Sequence, residues 1–120
     1  MRLIIGGAYQ GKTEYVKEKY GVAPVSCLPE EALKATAVNG YHLLVEQLLA
    51  EGMDPKEYTK RLISENPDVI VVCDEVGMGV VPLDKEIRIW REAVGRCLKL
   101  LAAAADSVVR IYAGIEVVVK

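Results

Sequence analysis

Eight residues near the start of the chain, Gly6-Gly7-Ala8-Tyr9-Gln10-Gly11-Lys12-Thr13, constrain the fold more than any other stretch. They fit the pattern G-x-x-x-x-G-K-[ST], and the apolar run Leu3-Ile4-Ile5 stands directly before them. A helix-favouring segment follows. A strand, a Gly-rich turn and a helix in that order are the context in which the pattern acts as a phosphate-binding loop. The flanking glycines permit backbone geometry that bulkier residues resist. Successive N–H groups of Gly6, Gly7, Ala8, Tyr9, Gln10 and Gly11 can then turn inward toward phosphate oxygens, aided by the positive end of the following helix. Lys12 is expected to reach the outer phosphates and the Thr13 hydroxyl to bind Mg²⁺. Tyr9 and Gln10 occupy variable loop positions and are expected to meet phosphate through backbone only.

A phosphate-binding loop of this kind needs a carboxylate for the metal. The segment Asp68 to Cys73 contains Val69-Ile70-Val71-Val72 and is the strongest strand signal in the chain: β-branched, continuous and bounded by breakers. It runs into Asp74-Glu75. An acid at the end of such a strand holds Mg²⁺ together with the loop hydroxyl. Asp74 is therefore the expected metal ligand, and Glu75 a second acid, the candidate base or a substrate contact.

The rest of the chain reads as alternating strands and helices. Residues 2–6 form a first strand and 12–20 a first helix, with Val16 and Tyr20 toward the sheet and Gly21 closing it. Val22 to Cys27 suggests a short edge strand broken by Pro24. Pro29 opens a short helix ending near Lys34, and Ala35 to Val38 is either a short strand or irregular. Tyr41, Leu44, Val45, Leu48 and Leu49 make a helical stripe over 41–50. Asp54 caps a further helix beginning at Pro55, with Glu57 three residues after the cap and Asn66-Pro67 as its stop. A glycine-containing loop, 76–82, leads to a long helix over Leu83–Ala105, capped at Asp84, with Ile87, Trp90, Val94, Cys97, Leu98, Leu101 and Ala105 on its apolar side. Ser107–Ala113 and Ile115–Val119 suggest a closing hairpin around Gly114. The pattern predicts an α/β three-layer sandwich with a mostly parallel sheet and a C-terminal antiparallel hairpin, folded as a single nucleotide-binding domain over residues 1–120. In such sheets ligands bind beyond the carboxyl ends of the strands, where both Gly6–Thr13 and Asp74-Glu75 fall.

Composition narrows the partners. The net charge is −2 with no Lys/Arg cluster, so no nucleic acid is expected to bind. No apolar run reaches membrane-spanning length, and the N-terminus does not read as a signal peptide, so a cytoplasmic protein is expected. Three widely spaced cysteines and one histidine argue against a disulfide framework or a zinc site. Cys73 and Cys97 read as small core residues. His42, the single histidine, reads first as a partly exposed or core-satisfied side chain and only second as a phosphate or nucleotide acceptor. Tyr41 and Trp90 read as core. Arg88, Arg91 and Arg96 read as a solvated face that could lend an arginine finger.

With these residues assembled, the chain resembles the bifunctional adenosylcobinamide kinase / adenosylcobinamide-phosphate guanylyltransferase family of cobalamin biosynthesis. The resemblance rests on Gly6-Gly7-Ala8 with Gly11-Lys12-Thr13, on Glu75-Val76-Gly77-Met78-Gly79-Val80-Val81-Pro82, which is close to the family's E-V-G-x-G-[IV]-V-P, and on Gly95-Arg96, Leu100 to Asp106 and Gly114-Ile115. It implies a P-loop fold, an ATP or GTP substrate with Mg²⁺, a corrinoid acceptor whose side-chain hydroxyl is phosphorylated, and a homo-oligomer.

Departures from the family pattern shape the expectation. The segment Val22 to Val38 is shorter than the family's and has no histidine to accept GMP. His42 falls where the family usually has threonine. The family's aspartate in that stretch is Asn39 here, and Asp74 stands where the family usually has asparagine, which moves the metal carboxylate from one strand end to its neighbour. The expectation is a kinase-like phosphotransferase without the guanylyl-transfer step. The alternative is a non-catalytic nucleotide-binding regulatory or assembly protein derived from that family.

Overall fold

A computed structural model describes residues 1–76 and 84–120. Most of the loop expected over 76–82, and Leu83 at the expected helix start, lie outside the described residues. Five strands, β1 (Arg2–Gly6), β2 (Ala37–Val38), β3 (Ile70–Asp74), β4 (Ser107–Tyr112) and β5 (Ile115–Val118), form one sheet in the order β2-β3-β1-β4-β5. β1 runs parallel to both β3 and β4, and β2 parallel to β3. Only β5 is antiparallel, returning along β4 as the expected hairpin. Among the described residues the helices are α1 (Lys12–Tyr20), α2 (Pro29–Ala32), α3 (Tyr41–Ala50), α4 (Pro55–Glu65) and α5 (Lys85–Ala104). The α/β class and the mostly parallel sheet with its antiparallel pair are as the sequence predicts.

The layers follow from strand alternation, because successive side chains on a strand point to opposite faces. Leu3, Val71, Cys73 and Val108 enter the larger core with Tyr41, Leu44, Val45 and Leu48 of α3, Leu62 of α4, and Val94, Cys97 and Leu101 of α5. Ile4, Val72, Val109 and Ile111 enter a smaller core with Val16 of α1. α1 thus covers one face, and α3, α4 and α5 the other. Tyr41 is fully buried, and its hydroxyl shares a 2.6 Å hydrogen bond with Thr59 Oγ1. Burial pushes the Cys73 thiol up to about 12, so it behaves as a small core residue.

Several boundaries differ from the sequence reading. Val22–Cys27 does not form a strand: Val25 alone makes a parallel bridge, to Val38. Pro24 cannot donate to a ladder, and β2 is only two residues long, so the segment lacks a partner to extend along. α2 ends at Ala32, before Lys34. α5 buries Ala93, Val94, Cys97 and Leu101, but Ile87 in its first turn stays exposed. Asp84 caps α5 as expected, accepting from the N–H groups of Glu86 and Ile87. Asp54 likewise caps α4, accepting from Lys56 N–H. Among the described residues, no helix is long and apolar enough to cross a membrane.

Candidate functional site

The sheet register brings the two predicted halves of the site together. β1 and β3 are neighbours, and Gly6 pairs with Asp74. Glu75 N–H donates to Gly6 carbonyl oxygen at 2.9 Å, locking the two strand ends at the same height. The loop Gly7–Gly11 leaves one end and the acid stands on the other. Gly6 has no room for a side chain: a Cβ there would lie 2.6 Å from the Ile111 carbonyl oxygen of β4. Gly11, with φ +89°, supplies the left-handed turn into α1.

Lys12 opens α1 and is buried, its side chain 8% exposed. Its Nζ donates to Gly7 carbonyl oxygen at 2.6 Å and lies 2.7 Å from Asp74 Oδ1. The lysine therefore crosses beneath its own loop and touches the acid of the neighbouring strand. The loop is braced on its outer side by the hairpin. Gly114 N–H donates to Gln10 carbonyl oxygen at 2.8 Å, and Ala113 N–H to Gln10 Oε1 at 2.6 Å. Tyr9, at φ +61°, projects fully into solvent. The N–H groups of residues 7 to 13 donate to no backbone or side-chain acceptor among the described residues. A row of open donors at a helix N-terminus is what a chain of phosphates would occupy.

A cavity of about 420 Å³ lies over this loop. Residues 8–14 form one wall, and Ser26, Asn39, Gly40, His42, Leu43 and Asp74 form the other. Of the predicted site residues, the structure therefore gathers Ala8, Tyr9, Gln10, Gly11, Lys12, Thr13 and Asp74 around one space. Gly6 and Gly7 lead into it from β1 and are not among its lining residues. Thr13 and Asp74 both line it, so a hydroxyl and a carboxylate with a neighbouring lysine are present for a phosphate-bound divalent cation, and the donor set fits one. Asn39 lies on the same wall as Asp74, one strand over, since β2 ends at Val38 beside β3. The exchange of carboxylate between these positions thus keeps the charge on one wall.

Glu75 is not among the described residues that line the cavity. Asp74 and Glu75 are consecutive at a strand end, so alternation sends them to opposite faces. Asp74 meets Lys12 on the α1 side, and Glu75 turns to Arg110 of β4, with Nε 2.9 Å from Oε1. That carboxylate oxygen is buried and accepts no hydrogen bond among the described residues, so the contact is an ion pair out of line with the N–H. Arg96 pairs loosely with Glu92 along α5, at 3.9 Å.

His42, read from sequence first as a partly exposed or core-satisfied side chain and second as a phosphate or nucleotide acceptor, stands at the site. It lines the cavity, its Nδ1 accepts the Asp74 N–H at 3.1 Å, and its Nε2 lies 3.5 Å from Asp74 Oδ2. Its carbonyl accepts the Trp90 indole N–H at 2.7 Å. Burial pushes the imidazole below its ordinary value, against the opposing pull of Asp74. The position next to a helical apolar stripe disguised it; the signal available was its place immediately after Asn39-Gly40, at the end of a strand.

A family model described as cobinamide kinase / cobinamide phosphate guanyltransferase matches residues 29–119, more than half of the chain. The chain belongs to that family. The match begins after the Gly6–Thr13 loop, so the loop stands on its own motif and geometry. Among curated proteins, the bifunctional adenosylcobalamin biosynthesis protein CobU of Salmonella typhimurium is 46% identical over 52 residues, covering 43% of this chain and 29% of that protein. The protein of the same name from Escherichia coli is 44% identical over the same length and shares. The matched stretch thus spans less than a third of the length of these two relatives. An isoleucine–tRNA ligase of Corynebacterium efficiens is 32% identical over 90 residues, covering 73% of this chain but 8% of that protein.

Proposed function

We propose that this chain is a Mg²⁺-dependent phosphotransferase of the cobinamide kinase type, passing the terminal phosphoryl group of ATP or GTP to the side-chain hydroxyl of a cobinamide or adenosylcobinamide. The observation that carries the reading is the meeting of Lys12 with Asp74 at adjacent strand ends, beneath a loop of open N–H groups. Family membership supplies the acceptor class. The loop N–H groups and Lys12 would hold the phosphates and stabilise charge on the transferred group. Thr13 and Asp74 would hold the cation, which would supply positive charge to neutralise that developing on the phosphates. The acceptor hydroxyl oxygen forms the new bond to phosphorus as the bond to the departing nucleoside diphosphate breaks, and the hydroxyl proton leaves to the product phosphate or to water. A loose transition state asks little of a base, which accords with a Glu75 turned away to Arg110. The guanylyl-transfer step is not part of the proposal, because 22–38 holds no histidine and His42 is engaged with Asp74.

Calorimetry with ATP or GTP and Mg²⁺, on wild type and Lys12→Ala side by side, tests the nucleotide site: the wild type is expected to bind and the variant to lose at least about a hundredfold in affinity. No binding by the wild type defeats the reading. Turnover with corrinoid acceptors then decides between transfer and a second reading, binding without transfer. That second reading draws on one feature: Lys12 is already satisfied by Gly7 and Asp74, an arrangement that also suits a site that only holds nucleotide. Self-association, expected from the resemblance, belongs to the same proposal. The edge strand β5 leaves Ile115, Val117 and Val118 exposed, and sedimentation reads the oligomeric state. A cytoplasmic location is likewise proposed, and fractionation of cells checks it.

A further inference from the structure

We infer that His42 is a positioning residue for Asp74, completing the sheet where β2 runs out. The argument starts with the ladder. Glu75 N–H donates toward β1, to Gly6, and Ile70 N–H donates toward β2, to Thr36. Along a strand, N–H groups alternate between the two neighbours, so Asp74 N–H points to the β2 side with Ile70. β2 stops at Val38, which pairs with Val71, and among the described residues no backbone carbonyl accepts the Asp74 N–H. The chain instead turns through Gly40, at φ +67°, into α3. The second residue of that helix puts its imidazole where the next strand acceptor would stand, with Nδ1 3.1 Å from Asp74 N.

The same ring then faces the carboxylate. An Nδ1 that accepts a hydrogen bond leaves Nε2 as the N–H-bearing nitrogen, and Nε2 lies 3.5 Å from Asp74 Oδ2. Oδ1 is meanwhile 2.7 Å from Lys12 Nζ. His42 thus holds the Asp74 backbone by a hydrogen bond and stands beside one carboxylate oxygen, while Lys12 pairs with the other. The imidazole is itself held in place: it is 12% exposed, it lies tilted against the Trp90 ring, and Trp90 Nε1–H donates to the His42 backbone carbonyl. Groups that orient a metal-binding carboxylate from behind typically change metal affinity about 10- to 100-fold when removed. The inference rests on the proposed nucleotide site for what Asp74 binds, but not for the His42–Asp74 contact.

Amide hydrogen exchange on the ligand-free protein tests the contact. In His42→Ala, the Asp74 amide is expected to exchange at least about tenfold faster while the Glu75 amide, bonded toward β1, is unchanged. General loosening of the fold would speed both. His42→Asn, whose side-chain oxygen can stand in for Nδ1, is expected to restore Asp74 protection, and it serves should the alanine variant not fold. In nucleotide titrations, the Mg²⁺ concentration for half-maximal binding is expected to rise about tenfold in His42→Ala, with Mg²⁺-free nucleotide binding unchanged. An unchanged Asp74 amide in His42→Ala, equal acceleration of Asp74 and Glu75, or no recovery in His42→Asn overturns the inference. So does an unchanged Mg²⁺ requirement. A wild type that binds no nucleotide defeats the proposed function alone, and the exchange data still judge His42.

Discussion

Gly6→Ala should cost this protein about as much as a large core truncation, although it adds one methyl group. The new Cβ would lie 2.6 Å from the Ile111 carbonyl oxygen, where ordinary contact begins at 3.4 Å. About 0.8 Å must open between two backbones, and backbone cannot rotate away as a flexible side chain would. Both strands are held: β1 pairs with β4 up to Ile5 and Arg110, and Gly6 itself accepts from Glu75 N–H. Overpacking costs about 1–3 kcal/mol, and φ +156° for a residue with a side chain adds strain of about 1–3 kcal/mol. A combined loss of about 3 kcal/mol corresponds, for a chain of this size, to a fall in Tm of about 12 °C. Gly52→Ala is the control. Gly52 sits at φ +73° with nothing within 4 Å of a Cβ, so it carries the conformational strain without the collision. It should lose about 1 kcal/mol, or about 4 °C. Thermal unfolding followed by circular dichroism measures both. If the two variants melt within about 2 °C of each other, steric closure between β1 and β4 is not what reserves this position for glycine, and the reasoning fails.

Three further outcomes follow from the same structure. Asp74→Asn should abolish Mg²⁺-dependent nucleotide binding, and adding Asn39→Asp should restore part of it, because both side chains line one wall of the cavity; calorimetry at fixed nucleotide and varied Mg²⁺ reads this. Tyr58 donates to Pro29 carbonyl oxygen, and burial, with Glu30 nearby, pushes its hydroxyl up to about 12. The sign is fixed by the folded state favouring the neutral phenol: its contribution is full below the unfolded value near pH 10 and is lost between about pH 10 and 12. Tyr58→Phe should therefore unfold less steeply with alkali than wild type, after losing about 1 kcal/mol at neutral pH, as seen in urea titrations across pH. Asn66→Ala removes two hydrogen bonds, from Nδ2 to the Ala32 and Ala35 carbonyls, and should lower the urea midpoint by an amount worth about 2 kcal/mol with an unchanged slope.

The parts of this protein that could be read from sequence are those whose cause is local. α3 runs over Tyr41–Ala50 as its apolar stripe requires, α1 ends at Gly21, and β1 gives way to the loop at Gly6. Each depends on spacing, caps or breakers within a few residues. What was misread depends on where a neighbour stops. Val22–Cys27 had strand composition, yet a strand needs a partner of its own length, and β2 offers two residues. The same short strand explains His42. Had β2 continued, a backbone carbonyl would have met Asp74 N–H, and an imidazole there would have had no work. Sequence offers Val38 as the end of a short strand, but not that residues 32 apart meet there. Glu75 shows the opposite case, in which the rule was available and adjacency obscured it. A pair of consecutive acids invites a pair of roles in one site, but strand alternation separates them: one acid goes to the lysine of the loop, and the other to Arg110 on the far face. The chemistry of such a site is therefore set less by which acids end a strand than by which face each one turns to. On β3 that choice follows from Val71 and Cys73 entering one core and Ile70 and Val72 the other.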